Sequence, residues 1–130
     1  MIDLNEGIES DLLKTETLII GAGAVGLMTA VVLAKRGVKV TIIESGGKQF
    51  EQQSQDLNAF TLTGRQHDGI SEGRARVLGG TTTLWGGQLT LFSKIDFEER
   101  SWIPNSGWPI TKKDIDPYYE EVAQLLSLNG

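Results

Sequence analysis

A chain of 130 residues has the usual length of one domain, and 39% hydrophobic with 22% charged residues is a globular composition able to bury a core. The absence of cysteine excludes disulfides, thiolate metal sites, iron–sulfur clusters and a cysteine nucleophile, and the lone His67 excludes a histidine pair for acid–base work. Acidic residues outnumber basic ones 17 to 12, for a net charge of −5, the wrong sign for a nucleic-acid surface.

Residues 1–15 are polar and acidic, a loosely attached lead-in. Thr17 to Ile20 is a short β-branched run of the kind buried in parallel sheets. The uncharged stretch from Leu18 to Ala34 would span roughly 26 Å as one helix, short of a ~30 Å hydrocarbon core. Gly21, Gly23 and Gly26 also interrupt it, so it reads as strand, turn and helix. With no basic start and no small-residue cleavage site, the expectation is a soluble, cytoplasmic protein with no membrane partner.

Residues 24–36 read as a helix with one apolar face made of Leu27, Ala30, Val31 and Ala34. Lys35 and Arg36 suit its C-terminal dipole, and Gly37 suits its stop. Val38 to Ile43 is a second strand, completing a βαβ unit. Residues 45–75 form an irregular, glycine-rich excursion with a short helix from Phe50 to Leu57. Near the end, Thr111 and Asp114 have capping-box spacing, while Asp116-Pro117 reads as an N-cap followed by proline. The latter predicts a helix from 117 to about 127, with Tyr118, Val122 and Leu125 on one side and Asn129-Gly130 as its stop. The fold class is α/β: a Rossmann-like βαβ unit with a mostly parallel sheet, the excursion and a C-terminal helix.

The first motif with chemical content is GAGAVG at 21–26. Gly21 allows a tight turn after the strand. Gly23 lets the backbone approach a pyrophosphate, and Gly26 lets helix and strand pack closely. The helix opening at Ala24 offers unpaired N–H groups and a partial positive charge. Glu44 closes the second strand, 18 residues past Gly26, placed to accept hydrogen bonds from an adenosine ribose. Its charge disfavours a 2′-phosphate, hence NADP. The plainer alternative is a glycine-rich turn with a solvated glutamate.

The second motif, RARVLGGTTTLWGGQ at 74–88, sets two glycine pairs around three threonines. Its backbone can lie flat against a ligand, with Thr81, Thr82 and Thr83 as hydroxyl donors. Arg76 could neutralise phosphate charge and Trp85 could offer an aromatic surface. A bulged hairpin with Trp85 in a core fits the spacing equally well. Trp102, Trp108, Tyr118 and Tyr119 read as packing, and Asp114, Asp116, Glu120 and Glu121 as solvated helix-start charges. His67, between Gln66 and Asp68-Gly69, reads as a surface turn.

Together GAGAVG, Glu44-Ser45-Gly46-Gly47, LGGTTTLWGG at 78–87, Ile95-Asp96-Phe97-Glu98 and Ser106-Gly107-Trp108-Pro109-Ile110-Thr111 with Pro117-Tyr118-Tyr119 resemble the glucose–methanol–choline oxidoreductase family, in the family's order from Thr17 onward. The likeness is greatest to its bacterial alcohol and sugar dehydrogenases. The resemblance implies that residues 16–130 are the N-terminal portion of an FAD-binding domain, running into the substrate-side region from about 96. It implies that Gly21, Gly23, Ala24 and Gly26 hold the FAD pyrophosphate and Glu44 the adenosine ribose. Gly79, Gly80, Thr81 and Thr82 would pass beside pyrophosphate and flavin, with Trp85 and Gly86 near the isoalloxazine.

Some relatives attach FAD through a histidine after the glycine pair. Leu84 stands at that place here, so the expectation is non-covalent FAD. The family's catalytic base lies near the C-terminus of much longer chains, so no catalytic residue is expected in this one, and no metal site. The complete enzyme would oxidise a small alcohol or sugar. The alternatives are a non-catalytic dinucleotide-binding module and an inactive fragment.

Overall fold

The computed structural model describes residues 14–127, which form two compact units divided between Gly87 and Gln88. Most of the acidic lead-in and the Asn129-Gly130 stop lie outside them. Among the described residues, no helix is long and apolar enough to cross a membrane.

The first unit is built on β1 (Thr17–Ile20), α1 (Ala24–Lys35) and β2 (Val40–Ile43). The strands pair in parallel, with Thr17 opposite Val40 and Ile20 opposite Ile43. The Gly21 N–H carries the ladder one bond further, to the Ile43 carbonyl at 2.8 Å. Helix α1 ends in a Schellman motif: the Gly37 N–H reaches the Ala34 carbonyl and the Val38 N–H the Leu33 carbonyl, with Gly37 at φ +83°. That motif shortens β2. Val38 was expected in the strand, but its N–H closes the helix instead.

Packing on the sheet is one-sided. A Cβ on Gly26 would lie 3.3 Å from Ile19 Cγ2, so Ile19 points to α1. Strand alternation then turns Leu18 and Ile20 to the opposite face, where Ile20 is 80% exposed. The expected apolar stripe of α1 is only partly covered: Ala30 is buried and Leu27 half-buried, while Val31 and Ala34 stay exposed. The helix is apolar nearly all round, and the two strands cover a single side of it. The anticipated core is correspondingly small. Ala22, Ala30, Val77 and Phe97 are the buried hydrophobics among the described residues.

Helix α2 (Gln52–Asp56) is the short helix of the excursion. The segment after Arg76 is no hairpin: it folds into a 3-10 helix, Gly80–Leu84.

The second unit contains α3 (Lys94–Phe97) and α4 (Lys112–Leu125). Each begins with a capping box. The Asp96 carboxylate accepts the N–H and hydroxyl of Ser93, and Asp114 does the same for Thr111. Those bonds hold the exposed Asp114 carboxyl below its ordinary pKa. Helix α4 therefore starts five residues before the expected position, and Pro117 sits inside it. Both signals were present in the sequence. The reciprocal cap at Thr111 prevails over Asp116-Pro117, whose Asp116 instead pairs with Lys112 one turn earlier. Phe92, Phe97 and Trp108 meet edge-to-face at 5.3–5.8 Å, so Trp108 packs on its neighbours while half-exposed, whereas Trp102 and Tyr118, also expected to pack, stand exposed.

Candidate functional site

The turn between β1 and α1 gives the three glycines three different surroundings. Gly21 has φ +97°, a conformation that a side chain would strain. A Cβ on Gly26 would fall onto the Gly21 carbonyl, so only glycine lets α1 lie this close to the strand end. At Gly23 a Cβ would meet nothing within 4 Å. Its φ of −80° is one that any residue can adopt. Neither backbone conformation nor protein packing therefore requires a glycine there, and the space over it is free for a ligand. No side chain caps α1, whose N-cap is Gly23 itself. The first-turn N–H groups and the dipole are thus presented beside that space.

The second glycine motif is brought directly against the first. The Gly79 N–H donates to the Ala22 carbonyl at 2.8 Å, and Gly23 and Gly79 form a parallel bridge. A Cβ on Gly80 would stand 3.0 Å from Gly23 Cα. The Leu78 N–H reaches the Gly47 carbonyl at 2.9 Å, tying the same segment to the loop after Glu44. Three stretches far apart in sequence thus meet at one place.

Glu44 is the polar centre of that place. Its Oε2 accepts the Ala22 N–H at 2.7 Å. Its Oε1 accepts the Ser45 N–H at 2.9 Å, the Ser45 hydroxyl at 3.1 Å and the Gly46 N–H at 3.1 Å. Partial burial pushes the carboxyl up, but these four hydrogen bonds outweigh it and hold Glu44 below its ordinary value. Glu44 is therefore a carboxylate at neutral pH. A carboxylate oxygen has two lone pairs, and one on Oε2 is left for a further donor such as a ribose hydroxyl.

Two expectations change. Arg76 turns three of its five guanidinium N–H groups to the protein: Nε donates to Asn58 Oδ1 at 2.8 Å, Nη1 to Ser45 Oγ at 2.9 Å and Nη2 to the Leu57 carbonyl at 3.3 Å. The chain approaches Ser45-Gly46 so closely here that a Cβ on Gly46 would strike the Arg76 carbonyl, and the side chain follows this loop. The threonines differ as well. The hydroxyls of Thr82 and Thr83 donate to the carbonyls of Gly79 and Gly80, as the tight 3-10 turn invites, which removes both as ligand donors. The Thr81 hydroxyl accepts the Ala75 N–H at 3.4 Å and keeps its own hydrogen. Trp85 stands half-exposed at the end of the 3-10 helix, and Gly86 has open space where a Cβ would sit. His67 is exposed, with Nδ1 2.8 Å from the Asp68 carbonyl.

A family model for the FAD binding domain matches residues 14–78, half of the chain. The chain belongs to the FAD binding domain family. Its cofactor is accordingly FAD, and it is a flavoprotein FAD-binding module. The matched stretch carries GAGAVG, Glu44 and Arg76 and ends one residue before Gly79. No curated protein and no solved structure matches the chain.

Sequence reasoning missed four members of the site. Ala22 is 2% exposed and uses both backbone polar groups, one on Glu44 and one on Gly79. Its signal was its place between Gly21 and Gly23. Ser45 follows Glu44 directly. Gln55 and Asn58 gave no signal, because they act from α2 and the turn after it, across some twenty residues of chain. A cavity of about 530 Å³ lies beside α2, lined by Phe50, Gln55, Asn58, Phe60 and Arg74 among others, and by no residue of GAGAVG.

Proposed function

We propose that this FAD-binding module serves an oxidoreductase of the glucose–methanol–choline kind that oxidises an alcohol or sugar hydroxyl. The observation that carries this reading is the seating of Gly79-Gly80 on the GAGAVG turn, with the space over Gly23 left open. The GAGAVG match alone would fit many dinucleotide-binding proteins; LGGTTTLWGG folded against it narrows the choice.

In this reading Gly21, Gly23, Ala24 and Gly26 bind the pyrophosphate with backbone groups and the start of α1. Glu44 holds the adenosine ribose through Oε2. Gly79, Gly80 and the Thr81 hydroxyl border the pyrophosphate and flavin, and Trp85 and Gly86 border the ring. Arg76 supports the ribose end rather than a phosphate. When bound, FAD supplies the acceptor for the hydride of the carbinol carbon, at its N5. This chain orients the cofactor and contributes no base; residues from about 96 open the substrate-side region. The FAD is held without a covalent bond, since Leu84 replaces the linking histidine.

Gly23→Ala tests the reading. Its melting temperature should not fall and should rise slightly, because no protein atom meets the new methyl and alanine restricts the unfolded chain. Its FAD affinity, read by flavin fluorescence, should fall at least about tenfold, equivalent to about 1.4 kcal/mol. Unchanged affinity, or stoichiometric NAD binding with no flavin, would overturn it. Acid precipitation should release all the yellow colour; colour kept on the pellet would refute non-covalent binding. Anaerobic addition of primary alcohols or aldoses to the FAD-loaded 130-residue chain should leave the flavin oxidised, and bleaching would disprove the absence of a base.

A further inference from the structure

The guanidinium of Arg76 and the carboxylate of Glu44 make no ion pair, yet one hydroxyl joins them. Arg76 Nη1 lies 2.9 Å from Ser45 Oγ, and Ser45 Oγ lies 3.1 Å from Glu44 Oε1. A guanidinium can only donate, so it takes a lone pair of the serine oxygen and leaves the single serine hydrogen for Glu44. The direction of this relay is fixed by chemistry.

Arg76 is itself held from two sides. Its Nε–H goes to Oδ1 of Asn58, which is 8% exposed. Its backbone is read by one amide: Gln55 Oε1 accepts the Arg76 N–H at 2.9 Å, and Gln55 Nε2 donates to the Arg76 carbonyl at 2.7 Å. The carboxylate at the other end is directional. Oε1 already accepts three hydrogen bonds and has no room for a ligand. Oε2 accepts one and faces the Ala22 N–H of the glycine turn.

We infer that Arg76 is a positioning residue for cofactor specificity: through the Ser45 hydroxyl it holds Glu44 Oε1 against the Ser45 and Gly46 amides and so keeps Oε2, beside the glycine turn, oriented to accept an adenosine 2′-hydroxyl. This rests on the assignment of Glu44 to the ribose. It makes discrimination between ribose and 2′-deoxyribose depend on a serine that touches no ligand.

The experiment compares the affinities of the 130-residue chain for FAD and for its 2′-deoxyadenosine analogue. The parent should prefer FAD. Ser45→Ala should cut that preference about tenfold, the size of one hydrogen bond to a charged group, mainly by weakening FAD. Ser45→Thr, which keeps the hydroxyl, should restore it to within about twofold. Arg76→Gln should lower the preference in the parent and lower it no further in the Ser45→Ala background, because the two act in series. A preference unchanged in Ser45→Ala, equal loss of both ligands, failure of the threonine to rescue, or an additive Arg76→Gln effect would each overturn the relay. Glu44→Gln separates the two levels. If it leaves the preference intact, the ribose assignment falls and the relay with it; if it abolishes the preference while Ser45→Ala does not, only the relay falls.

Discussion

The glycine turn and the strands that carry it are held in opposite ways. Around Ala22 the polar groups are satisfied: the Ala22 N–H, the Ala22 carbonyl, the Gly79 N–H and both Glu44 oxygens all have partners within 3.1 Å. A few residues away, Leu18, Ile20 and Ile43 stand exposed on the sheet face turned from α1, and Val25 is 82% exposed at the start of the helix. Parallel sheets ordinarily have both faces covered. The difference shows that the site is ordered by short-range hydrogen bonds and backbone contact, and draws little on a deep core. Its geometry belongs to the loop network, while the stability of the strands depends on one helix.

Substitutions should separate the two regimes, the largest effect first. Gly26→Val drives a side chain into the Gly21 carbonyl, which belongs to the backbone and cannot yield. It should destabilise the first unit by about 3 kcal/mol or more, read as loss of the thermal transition. Gln55→Leu removes both partners of the Arg76 backbone and should cost about 1–3 kcal/mol in urea melts. A smaller loss would mean that the network is less rigid than its geometry.

The effect of acid comes next. Glu44 has its pKa depressed in the folded chain, so its contribution is present above the ordinary carboxylate range and is lost as pH falls through the depressed value. FAD binding and melting temperature should decline together on that limb, and Glu44→Gln should flatten it. A decline that survives the substitution would move the cause to another carboxylate. The smallest effect is expected on the bare face, where Ile20→Ser should change stability by less than about 0.5 kcal/mol. A much larger loss would show that this face is covered in solution and would erase the contrast.

Much of this was legible in the sequence. β1, the turn, α1 and its Gly37 stop follow from period and glycine placement, and the distinct duties of Gly21 and Gly26 follow from the spacing alone. What was not legible depends on which partner wins. Thr82 and Thr83 look like ligand donors until the 3-10 turn offers them nearer carbonyls. Arg76 looks like a phosphate clamp until Asn58 and Ser45 claim it. The start of α4 had two candidate caps, and only comparing a reciprocal pair with a single one would have chosen Thr111. Long-range side-chain bonds such as Gln55 to Arg76 leave no periodicity to read.

The hydrogen bond from Gly79 to Ala22 also has a kinetic consequence. Gly79 and Ala22 are 57 positions apart, and their hydrogen bond closes a long loop in the first unit's polar network. Loop closure of that length is entropically unfavourable until other contacts compensate, and non-local pairings of this kind form late. The βαβ unit can therefore assemble before the cradle exists. Flavin uptake during refolding would then lag behind the recovery of secondary structure, serving as a clock for the final step.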